Sequence, residues 1–258
     1  MEKKEGKDIY HIKRCPEELT PISFDRYLAR GWFRMKQDIF TSTHNLYEEG
    51  STDTIKRVWW LRYNINKFEL LSSHRRLLRK IKQFAISIEK FEDNSDEEHE
   101  LYERYRKSIN FDGYESLFSY LYKRVKSKSI YNSHIIRIRD GNKLIAAGMF
   151  DVGMKAAASG LHFFDPSYSK YSLGRAMMLI TIEYMMQNDM TWYYPGYIIV
   201  GKPKLNYKLF LGEDRAKYYD FKTRSWLNYH PSILEEEEYS DEQIEKFMLA
   251  YLISSIGN

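Results

Sequence analysis

The chain has 258 residues, 43% hydrophobic, 29% charged and 16% aromatic, with 22 Tyr and a single cysteine. That size accommodates one large core or two of about 100 to 150 residues each, and the lone Cys15 excludes an intrachain disulfide, a Cys-rich zinc site and an iron–sulfur cluster. No apolar run nears the ~20 residues of a membrane helix, and the opening MEKKEGKDIYHIK lacks a signal-peptide core, so a cytoplasmic protein without membrane contact is expected.

In chain order, a short helix is predicted over residues 24–29. A hairpin follows, with GWFRMKQDIF and IKRVWWLRYNI as its strands around the turn-rich TSTHNLYEEGSTD. A helix over 67–83 and a strand, AISIEKF, complete an N-terminal α+β unit. The net charge of +4 conceals a segregation: residues 54–90 carry ten Lys or Arg against Glu69 and Glu89 alone. With Trp59, Trp60 and Tyr63 interleaved, that block has the composition of a surface for RNA phosphates and unpaired bases, or of an amphipathic helix with a solvated basic face.

The acidic stretch FEDNSDEEHE at 91–100 is the best boundary, dividing the chain into 1–92 and 93–258, and is expected to be a solvated linker or a helix start. Beyond it come helices over 97–108 and 114–126, and strands over 133–139 and 143–151 joined by a turn at Asp140-Gly141-Asn142. A strand over 156–164, an apolar helix over 172–187, a strand over 191–194 and an amphipathic helix over 241–253 complete the prediction. Ser172 stands where a helix cap is wanted, and Gly174 permits close approach to the helix start. The mixture YPGYIIVGKPKLNYK at 194–208 is unlike an ordinary core strand.

This order, a meander followed by strand, loop, helix and strand, resembles the acyltransferase fold of the GCN5-related N-acetyltransferases, an α+β class. The residues also resemble the arginyl-tRNA and leucyl-tRNA protein transferases. Asp151, Ser159, Asp165, Pro166, Ser172, Leu173, Gly174, Tyr194, Gly196, Tyr197, Pro203, Lys204, Tyr207 and Lys208 match the order and spacing of that family's C-terminal motifs. Upstream, Gly31-Trp32 with Arg34 resembles its Gly-Trp-Arg-Arg motif, and SSHRRLLRK, with Arg75, Arg76 and Arg79, its Ser-x-Ser-x-Arg-Arg segment. The departures are Leu161 for a tyrosine, Asn110 for a histidine, Pro195 for a leucine, and FTSTHNLYEEGSTD in place of a cysteine cluster, so no metal site is expected there.

The resemblance implies an enzyme that passes Arg or Leu from aminoacyl-tRNA to the N-terminal amine of proteins beginning with Asp or Glu, with aminoacyl-tRNA as co-substrate and no cofactor. Asp151, Asp165 and Tyr194 are then the expected catalytic groups. Ser159, His162, Ser172, Gly174, Gly196, Tyr197, Lys204, Tyr207 and Lys208 are expected at the substrate. Trp32, Arg34, Arg75, Arg76 and Arg79 are expected at RNA or at an acidic N-terminus. The runner-up is an acyl-CoA N-acyltransferase, for which Gly174 and Ala176 fit a pyrophosphate loop but Tyr171 replaces its basic start. A third reading is a family member that binds tRNA or N-termini without chemistry.

Overall fold

A computed structural model describes residues 9–49, 52–109, 114–122, 128–235 and 237–256. A small sheet of β1 (His11–Arg14), β2 (Phe33–Met35) and β3 (Asp38–Ser42), with α1 (Pro21–Leu28) between its first two strands, opens the chain. Thr20 caps α1 by accepting from the Ser23 N–H, and Pro21 at the first helical position has no N–H to leave unpaired. Then come β4 (His44–Glu49), β5 (Thr52–Asn64), α2 (Ser72–Ile81), β6 (Ala85–Lys90), α3 (Asp96–Ser108) and α4 (Leu117–Leu121). The remainder is β7 (Ser133–Asp140), β8 (Lys143–Val152), β9 (Ala156–Phe164), α5 (Leu173–Gln187), β10 (Trp192–Ile199), β11 (Ala216–Asp220), β12 (Ser225–Asn228) and α6 (Asp241–Ile256).

The large sheet runs β12-β11-β5-β10-β9-β8-β7-β6, with β4 paired to β5; its neighbours are antiparallel except β9 and β10. It crosses the boundary read at 92/93, because β5 and β6 precede it and β7 to β12 follow. The mixed α+β class stands. The hairpin is differently built: GWFRMKQDIF folds on itself as β2 and β3, turning at Lys36 with φ 59°, while β5 pairs with β4, which lies inside the segment read as a turn. The polar run HNLYEE has too little apolar alternation to announce a strand. The fourth expected strand extends past Tyr194 to Ile199, so the Tyr/Pro/Gly mixture is a central strand after all.

α5 packs one face of the sheet, burying Leu173, Met177, Leu179, Ile180 and Met185 against Phe150, Ala157 and Tyr193. Its Ala, Leu and Met residues are strong helix formers, and its nearly all-round burial explains the weak amphipathicity of the segment. The opposite face joins the small sheet through Phe33, stacked on Trp60 at 3.8 Å, whose indole N–H donates to the Ser42 carbonyl at 2.9 Å. The acidic stretch supplies the first turn of α3, as its helix-start reading expects, and part of it is buried. Glu98, with none of its surface exposed, accepts from Arg137 Nε at 2.6 Å, and Glu97 pairs with Arg139 at 2.6 Å.

Candidate functional site

β9 and β10 are parallel partners over only three pairs, Ala156 with Trp192, Ala157 with Tyr193 and Ala158 with Tyr194, and then part. Both strands are irregular at that level. β9 slips register against β8 between Gly148 and Phe150, taking one extra residue, and β10 slips against β5 between Tyr193 and Gly196. Such bulges bend a strand and add twist. Pro195 carries no N–H for a ladder, and Gly196 sits at φ 96°, a conformation that side-chain-bearing residues rarely adopt. The result is a wedge-shaped seam whose lips, residues 159–162 and 196–197, are half-buried beside otherwise buried strand.

On the α5 side of this wedge, the hydroxyls of Ser159 and Tyr193 meet at 2.5 Å across the last level at which the strands pair. His162 lies one bulge further along β9. Burial lowers its pKa to about 4, so its ring is neutral at pH 7, and its Nε2 has no hydrogen-bond partner. The Pro203–Leu211 turn closes the wedge from the β10 side. It is tied down by the Tyr63 hydroxyl, which donates to the Lys208 carbonyl at 3.0 Å. Lys208 comes within the wedge, its ammonium 5.7 Å from the centre of the Tyr197 ring and 5.0 Å from that of Tyr207. Burial lowers its pKa to about 7.

On the other side, Tyr120 of α4 brings its hydroxyl to the Leu161 N–H at 3.1 Å. Gly160 makes room for it, since a Cβ there would stand 2.3 Å from that hydroxyl. No pattern in the sequence pointed to Tyr120, because nothing places a short helix against a strand forty residues away.

The three expected catalytic groups are engaged with other partners. The Asp151 carboxylate accepts from Arg34 at 2.8 Å and from the Ser133 hydroxyl at 2.5 Å. It is committed to an ion pair between the two sheets, and Arg34, stacked 4.4 Å from the Tyr131 ring centre, is therefore no open RNA contact. Asp165 caps the Pro166–Tyr171 turn. Burial would raise its pKa, but Lys143 at 2.8 Å and the Ser167 hydroxyl and N–H hold it down to about 2. Tyr194 is 1% exposed, facing the small sheet, where its ring packs against Trp226 and Phe33 and its hydroxyl bonds Arg62. Strand alternation turns its neighbour Tyr193 toward α5 instead.

Of the remaining expected residues, Ser172 precedes α5 in a left-handed conformation with φ 51°, and its side chain makes no capping bond. Gly174 lies in the first turn of α5, where a Cβ would stand 4.0 Å at nearest from Phe164. Lys204 is exposed on the Pro203–Leu211 turn. Trp32 is half-buried under Arg14 and beside Tyr27. Arg75, Arg76 and Arg79 are exposed on α2, whose other face buries His74, Leu77 and Ile81. α2 adjoins the wedge's surroundings: His74 contacts the Phe210 carbonyl at 2.8 Å, and Lys80 donates to the Lys170 carbonyl in the turn before α5. Among the described residues, no group of three or more His, Cys, Asp or Glu is placed to hold a metal ion.

Residues 97–214 match the family described as Arginine-tRNA-protein transferase, C terminus. The chain is 28% identical over 205 residues to an aspartate/glutamate leucyltransferase of Helicobacter hepaticus, covering 77% of this chain and 79% of that relative. It is 31% identical over 136 residues to arginyl-tRNA–protein transferase 2 of Arabidopsis thaliana, covering 43% of this chain and 22% of the relative. Among solved structures, L-PGS from Bacillus licheniformis matches with a TM-score of 0.42 and 9% identity, over 73% of this chain and 51% of that one.

Proposed function

We propose that this chain, similar over residues 97–214 to the arginyl-tRNA–protein transferase family and over most of its length to aspartate/glutamate leucyltransferases, transfers an aminoacyl group from tRNA to the N-terminal amine of a protein, in the wedge between β9 and β10. The observation that carries this reading is the parting of those strands, with half-buried residues on both lips beside the Ser159–Tyr193 hydroxyl pair. A splayed parallel pair following a meander also supports the GCN5-related acyltransferase plan.

In the reaction, the amine lone pair attacks the ester carbonyl carbon that joins the amino acid to the terminal ribose. The carbonyl oxygen becomes an oxyanion, the new C–N bond forms, the C–O bond to ribose breaks, and the proton lost by the amine ends on the ribose oxygen. Because the ester is already activated, the protein's work is positioning and charge stabilisation, with no nucleotide or metal cofactor required. The Ser159 hydroxyl, on the lip of the slot and held by Tyr193, is the donor for the oxyanion. An α-amine has a pKa of about 7.7 to 8.0, so enough is neutral near pH 7 for a strong base to be unnecessary. His162, held neutral by burial, shapes the slot and is too weak a base to take the amine proton.

The exposed arginines of α2, with Lys80 and Lys170 beside the turn that precedes α5, form the surface for the tRNA backbone. Leucine is favoured as the transferred group, since the relatives that align over most of the chain carry that name whereas the arginyl relative aligns over less than half. Acceptors begin with Asp or Glu. The setting is the cytoplasm, where charged tRNA is made, and among the described residues no helix is long and apolar enough to cross a membrane.

The test is direct. Purified protein is incubated with peptides beginning in Asp, Glu, Lys or Arg and with labelled leucyl-tRNA, arginyl-tRNA or acetyl-CoA. Label passing from leucyl-tRNA to the Asp and Glu peptides is the expected result; label passing from acetyl-CoA alone overturns the reading.

A further inference from the structure

Lys208 is 9% exposed, yet it meets no carboxylate and no hydrogen-bonding partner for its ammonium among the described residues. Two other cations of the chain are matched. Arg34 has Asp151, and Lys143 has Asp165. The Lys208 ammonium has the rings of Tyr197 and Tyr207 beside it, and a cation–aromatic contact at such distances stabilises by about 1 to 2 kcal/mol, far less than desolvation of an ammonium costs. A buried charge kept without a counter-charge is costly to the fold, and burial is the cause of its lowered affinity for its proton.

Its position is also specific. The backbone of Lys208 is anchored by Tyr63, and its Cε lies 3.6 Å from where a Cβ on Gly196 would stand. The side chain thus runs along the bend at which β10 leaves β9. Its charge bears on His162, on the facing lip. The ammonium is therefore inside the slot in which the acceptor's amine must meet the ester, and the acceptor's first side chain begins one bond away from the carbon that bears that amine.

We propose that Lys208 is the residue that selects the acceptor, its ammonium forming the counter-charge for the carboxylate of a first-position Asp or Glu. This rests on the reading of the wedge as the transfer site and names its acceptor determinant. A carboxylate arriving there completes an ion pair inside a partly dry slot, where a charge-assisted hydrogen bond is worth most. The isosteric amides of Asn and Gln would leave the ammonium uncompensated. His162, neutral, and the Tyr197 and Tyr207 hydroxyls supply no competing negative charge.

The experiment compares kcat/KM for peptides identical except for a first residue of Asp, Asn, Glu or Gln, using wild type, Lys208→Met and Lys208→Arg. Charged hydrogen bonds of this kind predict a wild-type preference for acid over amide of roughly 10- to 150-fold. In Lys208→Met that ratio should fall to about 1, mainly through KM for the acidic peptides. Lys208→Arg should retain part of it. A ratio that survives the methionine, or a Lys208→Met loss shared equally by acid and amide peptides, overturns the assignment. Direct titration of the same peptides, without tRNA, separates the two claims: Lys208-dependent binding of acidic peptides by a protein that transfers nothing would sink the transfer reading alone, whereas transfer to acidic peptides that ignores Lys208→Met would sink the selectivity alone.

Discussion

Arg34 and Asp151, 117 residues apart in the chain, meet at 2.8 Å with both side chains at most 6% exposed, and the Ser133 hydroxyl donates to the same carboxylate oxygen. The pair fastens β2 of the small sheet to β8 of the large one. Removing one partner strands a buried charge, so Asp151→Asn should destabilise by about 3 to 5 kcal/mol. Replacing Arg34 by Met together with Asp151 by Leu should recover most of the loss. Urea unfolding of the single and double variants checks this, and additive losses would show that the pair is not the fastening.

The Ser159 hydroxyl is expected to meet the oxyanion. Ser159→Ala should lower kcat by roughly 100-fold with KM for the peptide little changed. Tyr193→Phe, which removes the partner of that hydroxyl, should cost about 1 kcal/mol of stability and a smaller part of kcat. Single-turnover rates with saturating charged tRNA read the two effects separately.

Lys208 should trade stability for recognition. Its folded pKa of about 7 lies below the ordinary lysine value, so between those two pH values the unfolded chain binds the extra proton and stability rises with pH. Lys208→Met should therefore stabilise the protein at pH 7 by roughly 2 to 4 kcal/mol, a gain that shrinks as pH rises toward 10. The neighbours His162, Tyr197 and Tyr207 keep one charge state between pH 7 and 10, His162 titrating near 4 and the two tyrosines being pushed up by burial. Thermal melts across that range would reject the idea if the variant were less stable throughout.

Asp165 behaves in the opposite sense. Its folded pKa of about 2 lies below the ordinary carboxylate value, so the stability it contributes is complete above about pH 4 and is lost as pH falls through 2. Asp165→Asn should cost about 2 kcal/mol at pH 7, with wild type and variant converging at the acid end. A constant difference down to pH 2 would assign the loss to the Pro166–Tyr171 turn rather than to charge.

Exposed cations on α2 should act through phosphates. A triple Arg75→Ala, Arg76→Ala, Arg79→Ala variant should keep its fold and bind tRNA with a salt slope shallower by about two to three units, while Lys204→Ala should reduce it by about one. Unchanged slopes would remove these residues from the RNA surface.

Local pattern was enough to place most of the elements that frame the wedge. The alternation over 133–139 and 143–151 became β7 and β8, residues 156–164 became β9 with the same bounds, and the apolar run after Ser172 became α5. These rest on side-chain periodicity, which each segment carries by itself. The motifs shared with the transferase family also lie in the sequence, and the match over residues 97–214 is to the same family. By contrast, the weakly patterned β4 was hidden in an apparent turn, and the second half of the helix read over 114–126 falls outside the described residues.

What the amino-acid order alone determined was the mixed class of fold and the resemblance to the transferase family. Which side chains face the opening was decided by tertiary structure. The pairing of β9 with β10 puts Tyr193 rather than Tyr194 on the face of Ser159, and the bulges that follow part the strands; the two aspartates turn away to Arg34 and Lys143; and Lys208 folds inward without a counter-charge. The reason is physical: a one-residue slip exchanges the faces of a strand, and an ionisable group's role is set by partners that arrive from distant parts of the chain, neither of which is written in local sequence.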